Sequence, residues 1–275
     1  MVATNRLPTV KRVTSPANPA VKAARALAYK KQRRATGTFM AAGERMLQEA
    51  VACGHRLETL FLHPETRPTS AGRGLEKACH AAGGEVMEAT HEVLAKLVGR
   101  ENPPGAVGVV PQPLRGLGEL PSDAGRTWLV LDGLRDPGNV GGIIRSAEAA
   151  GASGIIALGE TCDPFAPESV RASTGAIFAQ RLARCRWREF TRWRQGQGGT
   201  LVATAGGAAT DYRAAAYPGP VFLLLGDEHE GLPAHHASAC DQAVHIPLRG
   251  RAESLNVGVA AALLLYEIDR RRAGP

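Results

Sequence analysis

The stretch from Trp128 to Leu158 limits the possible folds of this chain more than any other. Trp128–Leu131 is a buried-strand pattern, residues 132–139 form a loop with an Asp-Pro turn, a helical pattern runs from about Val140 to Ala150, and Gly154–Leu158 is a second strand. Strand, helix and strand at this spacing make a parallel crossover, because parallel neighbours need a dozen or more residues between them. Further strands are expected at Leu201–Thr204, Val221–Leu225 and Ala243–Ile246, with a closing helix from Leu255 to about Arg271. The expected class is α/β with a parallel sheet in the C-terminal part. An apolar content of 44% suffices for a real core, and with only 5% aromatic residues that core should be largely aliphatic.

Between Phe39 and Val110 short helices and strands alternate, which describes a second, smaller α/β unit. Pro111–Gly125 (PQPLRGLGELPSDAG) is rich in Pro and Gly without periodicity and reads as a linker. The expected domains are therefore 1–110, a linker at 111–125, and 126–275.

Lys and Arg outnumber Asp and Glu by 33 to 26, a net charge of +7 that favours a polyanionic partner. The excess is concentrated near the front. Pro19–Arg34 reads as one helix with Val21, Ala24, Leu27 and Ala28 on one face and cations on another. Lys30, Lys31, Arg33 and Arg34 are candidate phosphate contacts, a solvated basic face being the alternative. No aromatic ladder accompanies them, so base stacking is not expected here.

Several classes lose support. Five scattered cysteines without a CxxC pair indicate neither a disulfide framework nor a zinc site. No run approaches the ~20 apolar residues of a membrane helix, and the front lacks an apolar leader, so a soluble cytoplasmic protein is expected. Neither GxGxxG, a GxxxxGK phosphate loop nor GxSxG occurs, which removes most support for hydride or phosphoryl transfer.

Three places carry chemical signals. In DPGNVGGIIR, Gly138, Gly141 and Gly142 would let backbone approach a ligand, Asn139 could hold a turn or donate to a substrate oxygen, and Arg145 suits a phosphate or a salt bridge to Asp132 or Asp136. Asp227, Glu228 and Glu230 crowd into one turn. They could bind metal, meet helix N–H groups or pair with Arg145, but one loop offers too few ligands for a metal site to be expected. His229, His235 and His236 match no zinc spacing and are expected on the surface. Finally, the strand ending at Ile246 is stopped by Pro247, and Ser254 stands where an N-cap belongs before the last helix.

Together LRDPGNVGGIIRSAEAAGASGI (Leu134–Ile155), LLLGDEHEGL (Leu223–Leu232) and IPLRGRAESLNVGVAAALLLYE (Ile246–Glu267) resemble the SpoU (TrmH-type) branch of the SPOUT methyltransferases in order, spacing and strand-loop placement. VRASTGAIF (Val170–Phe178) is similar to that family's middle segment. The front, with SPANPAVKAARAL and GERMLQEA, resembles its accessory substrate-binding domain, whose fold is like a small RNA-binding ribosomal protein. The resemblance implies a C-terminal trefoil knot, a homodimer, and methyl transfer from S-adenosylmethionine to an RNA ribose 2′-hydroxyl. It implies cofactor contacts at Gly226, Ile246 and Leu255, with Thr204, Leu248 and Asn256 nearby, and places Asn139, Arg145, Glu228, Ser254 and Asn256 at the catalytic site. Arg145 would hold the target phosphate, since its pKa above about 12 makes it a poor base, and Glu228 would orient Arg145 or its loop. His229, Asp227 and Gly258 depart from the family's usual Gly, Asn or Ser, and Ser. The leading substrate is 23S ribosomal RNA. The alternatives are tRNA, which a basic terminal extension would favour, and a non-catalytic dimeric RNA-binding protein. Neither DNA nor a membrane is an expected partner.

Overall fold

The computed structural model describes residues 10–121 and 127–273, and the chain divides into two compact units, Met1–Gln112 and Pro113–Pro275. The first contains β1 (Lys11–Val13), α1 (Pro19–Ala26), α2 (Lys30–Thr36), β2 (Thr38–Ala42), α3 (Glu44–Ala52), β3 (Thr59–Leu62), α4 (Ser70–Ala81), β4 (Glu85–Ala89), α5 (His91–Val98) and β5 (Ala106–Pro111). Its five strands lie in the order β1-β4-β3-β5-β2. The first three are parallel, and β5 runs antiparallel to both β3 and β2. Val21, Leu27, Phe61, Met87, Leu94 and Val107 form part of one core cluster that joins α1 and α5 to this sheet.

The basic segment departs from expectation. Pro19–Arg34 is two helices rather than one, interrupted at Leu27–Tyr29. Asn18 starts α1 by accepting from the Ala20 N–H, with Pro19 in the first turn where its missing donor costs nothing. Arg33 is not available to RNA, since its residue exposure is 3%. Its Nη1 donates to the carbonyls of Leu27 and Ala28, both at 2.8 Å, because the break strands carbonyls that helix geometry would otherwise satisfy. Lys31 and Arg34 remain exposed and Lys30 half-buried.

The second unit contains β6 (Leu114–Arg115), β7 (Thr127–Asp132), α6 (Pro137–Ala149), β8 (Gly154–Leu158), α7 (Pro167–Ser173), α8 (Ala176–Ala179), β9 (Leu182–Cys185), α9 (Trp187–Gln197), β10 (Thr200–Thr204), β11 (Thr210–Asp211), β12 (Val221–Leu225), α10 (Ala234–Ala237), β13 (Gln242–His245) and α11 (Val257–Ala273). Its eight strands lie in the order β11-β13-β10-β12-β7-β8-β9-β6, and every pairing is parallel. Part of the stretch read as a linker thus carries structure, with β6 on the sheet edge and a 3-10 turn at Leu117–Glu119. β7, β8 and β12 are buried at every residue, as strands covered on both faces should be.

After β9 the chain passes along α9 to β10 on the far side of β7, and β12 later fills the position between β7 and β10. Helix α9 escaped the sequence reading because its apolar residues are few and its arginines many. Its Phe190 and Trp193 nonetheless pack on the sheet, Trp193 lying 5.8 Å from both the Trp128 and Phe222 rings. The glycines of DPGNVGG fall inside α6, and one of them has a different role from the expected one: a Cβ on Gly141 would lie 2.3 Å from the Ser169 carbonyl oxygen, so this glycine permits close packing of α6 on α7.

Replacing Arg33 with Met should leave the Leu27 and Ala28 carbonyls unsatisfied and cost about 2 kcal/mol. Urea unfolding of the full chain should show a lower midpoint for the transition of the N-terminal unit.

Candidate functional site

Because the sheet is parallel, the C-terminal ends of its strands share one rim, which is where ligands bind in open α/β sheets. The loops after β10, β12 and β13 enclose, with the start of α11, a cavity of about 300 Å³. Thr204, Gly226, Ile246, Leu248 and Leu255 line it, as do Glu228 and Ser254. Its walls combine apolar side chains, including Leu225, Val244, Val257 and Leu264, with loop backbone. The backbone groups of residues 248–255 make no hydrogen bond among the described residues, which leaves donors and acceptors for a polar-edged ligand.

A chain of side-chain hydrogen bonds joins the three loop motifs. Asn139 donates through Nδ2 to Glu228 Oε1, and Asn256 Nδ2 donates to Asn139 Oδ1 at 2.8 Å. Its middle member and one end are anchored to helix starts. The Asn139 N–H donates to Asp136, the N-cap of α6, at 2.7 Å. Asn256 Oδ1 accepts from the N–H groups of Gly258 at 2.9 Å and Val259 at 3.3 Å, and so begins α11. Ser254 is therefore not the N-cap, and the helix begins at Val257 rather than Leu255. A second link runs from Arg135 to Glu230 at 2.6 Å and Asp227 at 3.9 Å.

The turn at residues 227–231 explains two departures from the family pattern. Asp227 Oδ1 accepts from the His229 and Glu230 N–H groups at 2.9 and 3.0 Å, and these bonds hold its carboxyl below the usual carboxylate range. The positive φ of the turn falls on Gly231, at 68°, so a side chain at position 229 is tolerated and His229 is exposed. A Cβ on Gly226 would lie 2.5 Å from the Gly231 carbonyl group, so this glycine lets the turn fold back against the end of β12.

Of the two expectations for Glu228, orienting Arg145 or the loop, the contact made is the second kind: Glu228 engages Asn139 and not Arg145, because the loop after β12 lies beside the start of α6. Other expectations do not hold. Arg145 is exposed six residues farther along that helix, outside the cavity lining, and pairs with neither Asp132 nor Asp136. His236 is not a surface residue. It is 8% exposed, its Nδ1 lies 2.5 Å from Asp132 Oδ2, and its ring stacks on Trp187 at 3.8 Å. The signal in the sequence was Asp132, a charge at the end of a buried strand, which requires a partner. Among the described residues no group of three His, Cys, Asp or Glu side chains is placed to hold a metal ion.

Residues 126–266 match the SpoU rRNA Methylase family, and residues 18–108 match the MRM3-like substrate binding domain. This chain belongs to the SpoU rRNA methylase family. Over 97% of its length it is 32% identical to a 23S rRNA (uridine(2479)-2′-O)-methyltransferase of Streptomyces viridochromogenes, of which 94% is covered. It is 29% identical to the 23S rRNA (guanosine(2553)-2′-O)-methyltransferase RlmP of Bacillus subtilis, with 94% and 99% of the two chains covered. An AdoMet-bound rRNA methyltransferase from Sinorhizobium meliloti is similar in structure, with a TM-score of 0.88, 41% identity and coverage of 95% and 98%. The SPOUT-type α/β architecture is thus the family's own.

The cavity fits the family's methyl donor on its own terms. His245, on the wall, has a buried Nδ1 without a hydrogen-bond partner among the described residues. Together with the free backbone of 248–255 it offers polar groups beside an apolar slot, as an adenosine with a charged tail requires. The Gly226→Ala variant should lose most S-adenosylmethionine affinity in isothermal titration, about 10-fold or more, since the added methyl displaces the turn that forms one wall.

Proposed function

We propose that this chain transfers the methyl group of S-adenosylmethionine to the 2′-hydroxyl of a ribose in 23S ribosomal RNA. The observation that carries the reading is one cavity lined by Thr204, Gly226, Ile246, Leu248, Ser254 and Leu255, walled by two of the three loop motifs and tied to the third through the Asn139–Glu228 and Asn256–Asn139 hydrogen bonds. The bound sulfonium supplies an already activated methyl group, so the protein's task is chiefly positioning. The Asn139–Glu228–Asn256 chain sets the loops that shape the cavity and the polar groups that face the substrate. Arg145 makes no hydrogen bond or ion pair among the described residues, which leaves its guanidinium free to hold the target phosphate.

The same reading includes the C-terminal trefoil knot, a homodimer and a cytoplasmic site of action. Val259, Leu263 and Tyr266, spaced along one face of α11, are 49%, 40% and 56% exposed and suit a second copy of the chain. Lys30, Lys31 and Arg34 serve RNA binding in the N-terminal unit. The basic run Arg270–Arg272 lies within α11. Arg270 and Arg271 pair with Glu267 at 2.7 and 2.9 Å, and Arg272 donates to Thr127 and Gly219.

Labelled S-adenosylmethionine incubated with unmodified total RNA should label the 23S fraction at a ribose 2′-oxygen. Label confined to tRNA would overturn the substrate, and no label in any RNA would overturn the activity. Arg145→Ala should lower transfer about 100-fold or more while cofactor affinity persists, and Leu263→Glu should convert the dimer to a monomer in light scattering.

A further inference from the structure

Tyr29 is the most exposed large apolar side chain among the described residues, at 74%. It sits in the break between α1 and α2, where its backbone is fully engaged. Its N–H donates to Ala26 at 3.0 Å, and its carbonyl accepts from Gln32 at 3.0 Å and Arg33 at 3.2 Å. The buried Arg33 side chain fixes the two preceding carbonyls, and Leu27 anchors the turn in the core at 3% exposure. A support fixed by backbone hydrogen bonds and a buried leucine thus holds an aromatic ring in solvent.

The flanking sequence carries one sign of charge. Lys22 and Arg25 on α1 and Lys31 and Arg34 on α2 are exposed, and none of them makes an ion pair among the described residues. No carboxylate occurs between Lys11 and Gly43. A flat, largely exposed ring in a segment with exposed cations on both sides of it in sequence is the arrangement that takes a nucleobase while the flanking phosphates are neutralised. Paired bases in an A-form duplex present no face for such a ring, so the ligand must have an unstacked base.

We infer that Tyr29 is a stacking platform for an unpaired base of the RNA substrate, with Lys22, Arg25, Lys31 and Arg34 holding the adjoining backbone. This rests on the proposed RNA-substrate reading and adds to it a preference for single-stranded or looped RNA. It also replaces the sequence-based expectation that stacking has no place in this segment.

The test compares the full chain and its Tyr29→Ala and Tyr29→Phe variants in binding two labelled RNAs of equal length, a hairpin with an unpaired loop and a perfect duplex. Tyr29→Ala should weaken hairpin binding about 10-fold and leave duplex binding and the salt dependence unchanged, because no charge is removed. Tyr29→Phe should retain wild-type affinity. Equal loss on both RNAs, or no loss on either, overturns the stacking site. Melting curves of the variants exclude a folding defect as the cause of any loss. Methyl transfer by the wild-type chain separates the two readings: transfer with no effect of Tyr29→Ala rejects the platform alone, whereas a wild-type chain that neither binds nor methylates RNA rejects both.

Discussion

The common direction of the strands in the C-terminal unit decides where its functional residues can meet. With eight strands parallel, every loop that leaves a strand's C-terminal end emerges on the same rim, however far apart the residues are in sequence. Placing β12 between β7 and β10 then makes neighbours of the loops that carry Asn139 and Glu228, 89 residues apart. The site is therefore a product of strand order, and the side chains complete a meeting that the sheet has already arranged.

Strand order alone would leave these loops loose, and buried or half-buried polar contacts tighten them. Asp132, at the end of β7, meets His236 of α10, which in turn stacks on Trp187 at the start of α9. Three elements on one side of the rim are thereby tied through a single imidazole. A charge placed there without its partner would be costly, so the contact also restricts which arrangements of the loops are compatible with a folded core. Arg33 does comparable work in the N-terminal unit, where it satisfies the carbonyls exposed by the break between α1 and α2.

Much of this was legible in the sequence, for physical reasons. Apolar runs such as Val221–Leu225 and Gly154–Leu158 announce strands buried on both faces, and the motif loops announce a family. What stayed hidden depends on partners distant in sequence. Helical spacing could not show that Arg33 turns inward, since the break at Leu27–Tyr29 has no Pro or Gly to mark it. Nor could it show that Gly141 faces Ser169 rather than a ligand, because that role is set by how α6 meets α7. Among the cavity residues, Thr204, Gly226, Ile246, Leu248 and Leu255 share one wall system, while Arg145 stands apart. The roles of these residues in cofactor binding and catalysis belong to the proposed reading.

Asn256 performs two tasks with one planar group. Its oxygen receives the first N–H groups of α11, and its nitrogen donates toward Asn139. Aspartate would keep the cap and lose the donor; serine could rotate its single hydroxyl to one task at a time; glutamine would carry the same amide one carbon too far. This position thus answers two unrelated demands at once, the start of a helix and the spacing of two loops, and a change that suits either one alone forfeits the other.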